Sequence, residues 1–409
     1  MLRSLTGLRE KLGRKPEYLL FLLGAAVSLA FAVWQALLNN FAIEQAAFTG
    51  REIGILQSLR EVPGFLAFTT VLVLLVIREQ TFALLSVILL GIGVALTGWL
   101  PTEYGLYFTT VLMSTGFHYF YTVQQSLTLQ WVDKQRTPEV MGRLSSVSSM
   151  ASLAAFAAVW LGMQYFGLPY AGLYLLAGGI AAVVALVAVF AFPTFPQLVP
   201  QRRHLLMRRR YWLYYALTFM SGARRQIFVV FAGFLMVERF GFSAANIALL
   251  FLVNHAFNAW AAPKIGRFIG RFGERSALTL EYAGLIVIFT AYAFVQTAWV
   301  AVILYVLDHL LFAMAIAIRS YFQKIADPSD IASTAGVSFT INHIAAVVIP
   351  VSFGMAWLYS PAAVFLAGAV MAAVSLLLSR MVPRDPAEGN EVMRPPGFPS
   401  RAGFSELSP

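Results

Sequence analysis

The chain has 409 residues, of which 59% are hydrophobic and only 12% are charged, and its mean hydropathy is +0.74. A soluble domain of this size cannot hide so much apolar surface, so the composition excludes a soluble enzyme or binding domain. The formal net charge of +10 is dispersed over short segments instead of forming one basic patch, which argues against nucleic-acid binding.

Twelve apolar stretches run along the chain, and they divide six and six around a basic central segment. Each stretch provides the roughly 20 residues that a helix needs to cross a hydrocarbon core of about 30 Å. The sequence therefore predicts an all-α membrane protein in which twelve transmembrane helices form two pseudo-symmetric six-helix bundles. The predicted spans are residues 17–38, 53–77, 81–100, 104–130, 144–166, 170–192, 211–236, 244–262, 277–297, 299–320, 337–358 and 361–382.

The remaining segments complete the predicted domain organisation. An N-terminal tail (1–16) precedes the first bundle (17–192), and a basic linker (193–210) joins it to the second bundle (211–383). The last segment, 384–409, is rich in Pro and Gly and poor in apolar residues, which predicts a disordered cytoplasmic tail. The first apolar stretch is too long for a signal peptide, so we expect the N-terminus to be retained.

The basic residues predict the orientation in the membrane. If both termini are cytoplasmic, the cytoplasmic segments and the adjoining span ends hold 24 of the 29 Lys and Arg residues. This bias predicts that both termini are cytoplasmic, and we also expect a monomeric, multi-pass protein of a bacterial plasma membrane. The chain has no cysteine, which excludes disulfides and thiolate metal sites, and no cofactor is expected. It also has no Walker-type nucleotide loop, so uphill movement of a solute would have to draw on an ion gradient, for which protons suit the available side chains.

The two halves look like copies of one another. A shift of 194 residues places 49–65 on 243–259 and brings the span lengths and loop sides into register. Identity between the halves is weak, so the evidence lies in the matching pattern. Such a parallel repeat is typical of transporters that are built from two six-helix halves.

A glycine- and arginine-rich motif, GRFIGRFGER, stands between the eighth and ninth spans. It is similar to the loop signature of the major facilitator superfamily, which Gly266, Arg271, Gly273 and Arg275 match, although Gly270 stands where the family usually has Asp. The resemblance covers about residues 15–383 and implies a secondary transporter that works by alternating access, with a substrate site near the bilayer midplane between the halves. It also implies a gating role for the four matching residues.

Six charged residues fall inside the predicted spans. Each would cost roughly 2.5–3.5 kcal/mol at the bilayer centre, so they must pair with one another or line a wet cavity. Arg60 and Glu61 could form a structural ion pair or take part in coupling. Glu281 follows Arg275 on the same helix, and we expect a local structural pair there. The six are Arg60, Glu61, Arg224, Arg225, Glu281 and Asp308.

Four histidines also fall inside spans, and three directly follow a polar residue: Asn254-His255, Asp308-His309 and Asn342-His343. The repeat offset places Ser148-Ser149 on Asn342-His343, which indicates matching polar layers in the two halves. Helical spacing adds four polar faces, one of which is formed by Thr218, Ser221 and Arg225 on the seventh span. The other three are Ser114, His118, Tyr121 and Gln125 on the fourth span, Ser28, Gln35 and Asn39 on the first, and Asn254 and Asn258 on the eighth.

The first functional hypothesis is proton-coupled transport of a small, anionic solute, because guanidinium groups bind carboxylate and phosphate bidentately. Adjacent arginines on a helix point about 100° apart, so we expect at least one of Arg224 and Arg225 to face the cavity. The candidate substrate residues are Arg224, Arg225, Gln35, His118, Gln125, Asn254, His255, Asn258, Asn342 and His343. The candidate proton-coupling residues are Asp308, His309, Glu61 and Arg60.

Two alternatives stay open. In the first, the same fold transports a divalent metal or a metal chelate, with imidazole and carboxylate ligands from His255, His309, His343 and Asp308. In the second, the protein is a membrane receptor that has kept the fold and lost transport. No constellation for a membrane-embedded enzyme stands out.

Overall fold

The computed structural model describes residues 15–132, 137–195, 207–327 and 330–393. These residues form helices, turns and loops without a β-strand, so the predicted all-α class is confirmed. Most of the predicted N-terminal tail, residues 196–206 of the predicted linker and the last part of the predicted C-terminal tail lie outside the described residues.

Twelve helical segments follow one another in the described residues when short 3-10 and π turns are counted with the helices that they join. The first six are α1 Glu17–Ala46, α2 Gly50–Phe65 with the continuations Leu66–Thr69 and Thr70–Val73, α3 Glu79–Thr97, α4 Glu103–Trp131, α5 Thr137–Phe166 and α6 Tyr170–Ala191. The other six are α7 Arg209–Phe240, α8 Ala244–Phe272, α9 Glu274–Phe294, α10 Ala298–Ile325, α11 Ile331–Trp357 and α12 Pro361–Arg380.

Nine helices in the described part of the chain are long and apolar enough to cross a membrane. The chain is therefore an integral, multi-pass membrane protein, whereas the number of twelve spans stays a prediction. The three other segments are α2, α4 and α8.

The motif between the eighth and ninth spans is mostly helical, although we expected a loop. Helix α8 continues to Phe272, so Gly266 and Arg271 lie on its last turns. Gly273 separates the two helices, since its φ of +81° is not helical. Glycine suits this position because a residue with a Cβ would be strained at a positive φ. Helix α9 then begins at once at Glu274, which leaves no room for a longer loop.

By compactness the chain divides into two units. Unit 1 comprises residues Met1–Arg202 together with Gly233–Ala256 and Pro350–Leu358, and unit 2 comprises Arg203–Ala232, Phe257–Ile349 and Tyr359–Pro409. The division therefore does not follow the predicted halves, since two pieces of the second half pack with unit 1.

Glycines allow the helices of unit 1 to approach closely. A Cβ on Gly178 would lie 2.3 Å from the carbonyl oxygen of Gly91, so α3 and α6 meet backbone to backbone. A Cβ on Gly116 of α4 would likewise lie 2.3 Å from the carbonyl oxygen of Ser86. Small residues have this function in membrane bundles, where lipid offers no hydrophobic driving force and close packing must stabilise the fold.

The same device explains why Pro350–Leu358 belongs to unit 1. A Cβ on Gly54 of α2 would lie 2.4 Å from the carbonyl oxygen of Pro350 and 2.9 Å from the Cα of Gly354. The Ser58 hydroxyl accepts a hydrogen bond from the Val351 N–H at 3.0 Å. Close packing and a backbone hydrogen bond thus join this end of α11 to α2 within unit 1.

In unit 2, the chain beyond α12 folds back onto the helices instead of being disordered along its whole length. The Met393 N–H donates to the Met381 carbonyl oxygen at 2.7 Å, and the Tyr321 hydroxyl donates to the Glu391 carbonyl oxygen. For residues 384–393 the structure therefore differs from the expectation of disorder, because composition does not reveal contacts with a neighbouring helix end. Residues 394–409 lie outside the described part of the chain.

Candidate functional site

A buried charge cluster lies within unit 2 and joins α7, α9 and α10. The Arg224 Nη2 atom lies 3.6 Å from the Glu281 Oε1 atom, and both side chains are completely buried. The Arg224 guanidinium also stacks over the Tyr282 ring, with its Cζ atom 4.4 Å from the ring centroid. Asp308 is 1% exposed and lies close enough to interact electrostatically with Arg224 and Glu281. One guanidinium and two carboxyl groups thus lie in one buried cluster, in which Glu281 is the acid within ion-pair distance of Arg224.

The cluster corrects the expected pairing of Glu281 with Arg275. Six residues separate the two positions, and at 100° per residue their side chains point about 120° apart around the helix. The Arg275 Nη1 atom instead lies 3.2 Å from the Met393 Sδ atom. Glu281 consequently meets Arg224 of a neighbouring helix, which is a buried contact between elements and not a local pair.

The two adjacent arginines of α7 have different surroundings. Arg224 is buried, whereas Arg225 is exposed and its Cζ atom lies 6.0 Å from the centroid of the Phe312 ring in unit 2. Soon after them the helix widens into a π turn at Ile227–Ala232. Such turns are rare and are frequent at functional sites.

Unit 1 contains a second buried cluster, on α2 and α4. Arg60 and Glu61 form an ion pair, and the Glu61 Oε2 atom lies 4.0 Å from the His118 Nε2 atom. The other ring nitrogen of His118 lies 3.0 Å from the Ser114 hydroxyl, which itself donates to the Arg60 carbonyl oxygen. The face predicted on the fourth span therefore reaches the Arg60–Glu61 pair.

Unit 1 also contains a cavity of about 290 Å³ between α1, α4, α5 and α8. Hydroxyl, amide and imidazole groups line it beside aromatic rings, and no Asp, Glu, Lys or Arg is among the lining residues. The Phe31 and Phe117 rings stack with centroids 4.4 Å apart, and the hydroxyls of Ser28 and Tyr121 lie 3.4 Å apart. The lining residues are Ser28, Phe31, Ala32, Gln35, Phe117, Tyr121, Ser145, Ser148, Ser149, Ser152, Phe156 and His255.

Of the predicted substrate residues, the structure brings Gln35 and His255 to this cavity. The others lie elsewhere in their units: Gln125 and Asn258 are exposed, and Asn254 is buried. In unit 2, His343 is buried. The Asn342 side chain packs against Gly222, where a Cβ would lie only 2.5 Å from the Asn342 Oδ1 atom.

The metal alternative gains no support within unit 2. The His309 ring packs against the rings of Phe228 and Tyr305, at centroid distances of 4.6 and 5.0 Å. In the described residues, the ligand atoms of Asp308, His309 and His343 do not all come within 4.8 Å of one another. His309 thus packs among aromatic rings, whereas Asp308 belongs to the buried charge cluster.

Sequence reasoning missed most of the serine wall of the cavity. Ser145, Ser148, Ser149 and Ser152 stand at i, i+3, i+4 and i+7 on α5, which is the spacing of one helix face. That spacing could have identified the face before the structure was seen. The role of Tyr282 could not be found in this way, because its contact with Arg224 depends on how α7 packs against α9.

Comparisons with known proteins agree with this architecture. A family model described as Major Facilitator Superfamily matches residues 18–350, and no curated protein matches the chain. Among solved structures, the nucleoside transporter NupG is similar with a TM-score of 0.72 and 14% identity, over 90% of this chain and 98% of that chain. A bacterial homologue of the human lysosomal transporter Spinster, in an inward-facing and occupied conformation, is similar with a TM-score of 0.70 and 14% identity, over 92% and 98%. At this identity the two structures show the fold alone. Because the family model covers most of the chain, the chain belongs to the major facilitator superfamily and is a secondary transporter, not an enzyme.

Proposed function

We propose that the protein transports a small, polar organic solute with hydrogen-bonding groups and a planar or apolar face, and that transport is coupled to protons. The cavity of unit 1 carries this proposal. Its serine and tyrosine hydroxyls and the Gln35 amide can both donate and accept hydrogen bonds, while Phe31 and Phe117 offer a stacked aromatic wall. Binding pockets for small molecules combine apolar walls with a few polar groups in this way. A nucleoside is one solute of this class, and the name of NupG states that NupG transports nucleosides.

The buried cluster of unit 2 supports the proton-coupling part of the proposal. With both carboxyls ionised, Arg224, Glu281 and Asp308 carry a net charge of −1 in a site that excludes water. One bound proton would make the cluster neutral, and a buried net charge is costly. In the described part of the chain the carboxylate oxygens of Asp308 and Glu281 have no hydrogen-bond partner, but Glu281 lies within ion-pair distance of Arg224, so we propose Asp308 as the proton carrier. His309, with its ring against two aromatic rings, is a weaker candidate.

An anionic solute is the second candidate. Arg60 pairs with Glu61 and Arg224 with Glu281, so these two arginines already have buried carboxylate partners. The exposed Arg225 is the observation that favours an anion, because a guanidinium binds carboxylate or phosphate bidentately. We also propose that the protein is a monomer in a bacterial plasma membrane and that both of its termini are cytoplasmic.

The test of the substrate class is uptake by the purified protein in proteoliposomes, with radiolabelled nucleosides, sugars and organic acids as the panel. Ser149→Leu fills the cavity wall and should reduce uptake of the transported solute at least tenfold. Ser146→Leu is the matched control, since Ser146 is exposed on the same helix, does not line the cavity and donates to the Gly142 carbonyl oxygen. Equal uptake by the two variants would remove the cavity from the proposal, and uptake of organic acids that only Arg225→Gln abolishes would favour the second candidate.

A further inference from the structure

Within unit 2, the segment that follows α12 folds back along the ends of neighbouring helices, and we call residues 381–393 the strap. The Glu388 carboxylate accepts from Arg210 at the start of α7 at 3.1 Å. The hydrogen bonds of Met393 with Met381 and of Tyr321 with Glu391 close the strap on itself and against α10. The strap is thus attached to the helices at two points, Arg210 of α7 and Tyr321 of α10, and closed by one internal hydrogen bond.

A cleft of about 500 Å³ opens between the strap and the first turn of α9. Arg275 contributes one wall from α9, and the strap contributes the others. The residues that line the cleft are Arg275, Pro383, Arg384, Asp385, Asn390 and Met393. This cleft is separate from the charge cluster and from the cavity described above, because it shares no residue with either.

The cleft carries an excess of positive charge. Arg380 and Arg384 lie close enough for their charges to repel that of Arg275, while Asp385 is the one acid among the lining residues. With these four side chains the local charge is +2. Arg275 also lies in the first turn of α9, where the helix dipole adds positive potential and disfavours a cation.

Few acidic side chains in the described part of the chain lie near Arg275, Arg380 and Arg384 to balance their positive charge. Arg275 donates a hydrogen bond to the thioether sulfur of Met393, which is a weak acceptor. Within the described residues, no carboxylate lies within salt-bridge distance of Arg275, Arg380 or Arg384. By contrast, Arg210 of the same unit lies near both Asp330 and Glu388, which shows that acids are available close by.

We propose that this cleft binds a phosphate group, held by Arg275 and Arg384 with Asn390 as a further donor. Guanidinium groups bind phosphate through two parallel hydrogen bonds, and a mutually repelling arginine pair is relieved by an anion between its members. Two sources share this chemistry. Arg384 follows the end of α12, a helix long and apolar enough to cross a membrane, and we expect lipid headgroups near that end. One source is therefore an anionic phospholipid, and the other is a soluble phosphate compound.

The experiment measures the melting temperature of the full-length protein in detergent with two probes. One arm adds phosphatidylglycerol to the micelles, with phosphatidylcholine at the same mole fraction for comparison. The other arm adds inorganic phosphate, with chloride at matched ionic strength. Binding to the folded state raises the melting temperature by mass action. A rise with phosphatidylglycerol alone identifies a lipid headgroup, and a rise with inorganic phosphate identifies a soluble source.

The variants decide whether the rise comes from this cleft. Arg384→Gln replaces an exposed side chain and should raise the apparent dissociation constant about tenfold or more, which is typical for loss of one charged hydrogen bond. Arg275→Gln should act in the same direction. Arg267→Gln is the matched control, because Arg267 is an exposed arginine of α8 that does not line the cleft. No rise with either probe, or an equal rise in Arg384→Gln and the wild type, would overturn the proposal. Neither result depends on whether the protein transports the proposed solute.

Discussion

Removal of the buried guanidinium gives the sharpest test of the cluster in unit 2. Arg224→Gln would leave Glu281 and Asp308 buried without their cation, while the side chain keeps most of its volume. Breaking a buried pair by removing one partner typically costs 3–5 kcal/mol. At about 2 °C per kcal/mol for a large chain, the melting temperature should fall by about 6–10 °C. Glu281→Gln should cost less, because the guanidinium still interacts electrostatically with the Asp308 carboxylate.

The design is a double-mutant cycle on thermal unfolding in detergent. The double variant Arg224→Gln/Glu281→Gln removes one positive and one negative charge, so it should be more stable than the sum of the two single losses predicts. We expect a coupling energy above about 1 kcal/mol, since residues in one buried network are not additive. Arg225→Gln is the matched control, and at this exposed position the loss should stay within about 0.5 kcal/mol.

Additive losses in the cycle, within about 0.5 kcal/mol, would show that Arg224 and Glu281 do not interact in the folded protein. A loss in Arg225→Gln as large as that in Arg224→Gln would show that the two arginines do not differ in burial. Either result would refute the assignment of the cluster and, with it, the electrostatic argument for Asp308.

The other predictions concern separate parts of the molecule. Gly178→Ala should lower the melting temperature by an amount that corresponds to about 1–3 kcal/mol, because its Cβ would meet the Gly91 carbonyl oxygen, whereas the neighbouring Gly179→Ala, with nothing within 4 Å, should be neutral or stabilising. Equal effects of these two variants would contradict the close packing of α3 and α6. Burial alone would raise the pKa of Asp330, but hydrogen bonds from Arg208 and Tyr211, at 2.5 and 2.9 Å, hold it below its usual range. The ionised Asp330 carboxylate therefore stabilises the folded protein at a pH above its pKa in the unfolded chain, and this stabilisation is lost as the pH falls through its lower pKa in the folded protein. Asp330→Asn should lower the melting temperature at pH 7 and make it less dependent on pH below about 5, and an unchanged pH profile would exclude this role.

The sequence predicts the class of the protein well, because apolar length and the distribution of charge are physical requirements of a membrane helix. It also predicts that Arg60 could pair with Glu61 and that the two adjacent arginines of α7 point in different directions. These inferences depend on neighbouring residues or on a single helix, where periodicity fixes the geometry.

Contacts between helices were harder to predict. Glu281 was assigned to Arg275 because both lie on α9, but the angle between their side chains leaves Glu281 facing α7. Gln125 and His118 share a predicted face, yet only His118 is close to the charged pair of unit 1. The order of the strap depends on contacts with Tyr321 and Arg210, more than 60 residues away in the sequence, and local composition does not contain that information.

The central claim is that a proton on Asp308 couples transport to the proton gradient. The most direct measurement compares two modes in proteoliposomes, accumulation of the solute driven by a proton gradient and exchange of labelled for unlabelled solute without a gradient. Asp308→Asn, which keeps the shape of the side chain, should retain exchange and lose accumulation. Accumulation at the wild-type level in Asp308→Asn would contradict the account, because transport would then be coupled without this carboxyl group.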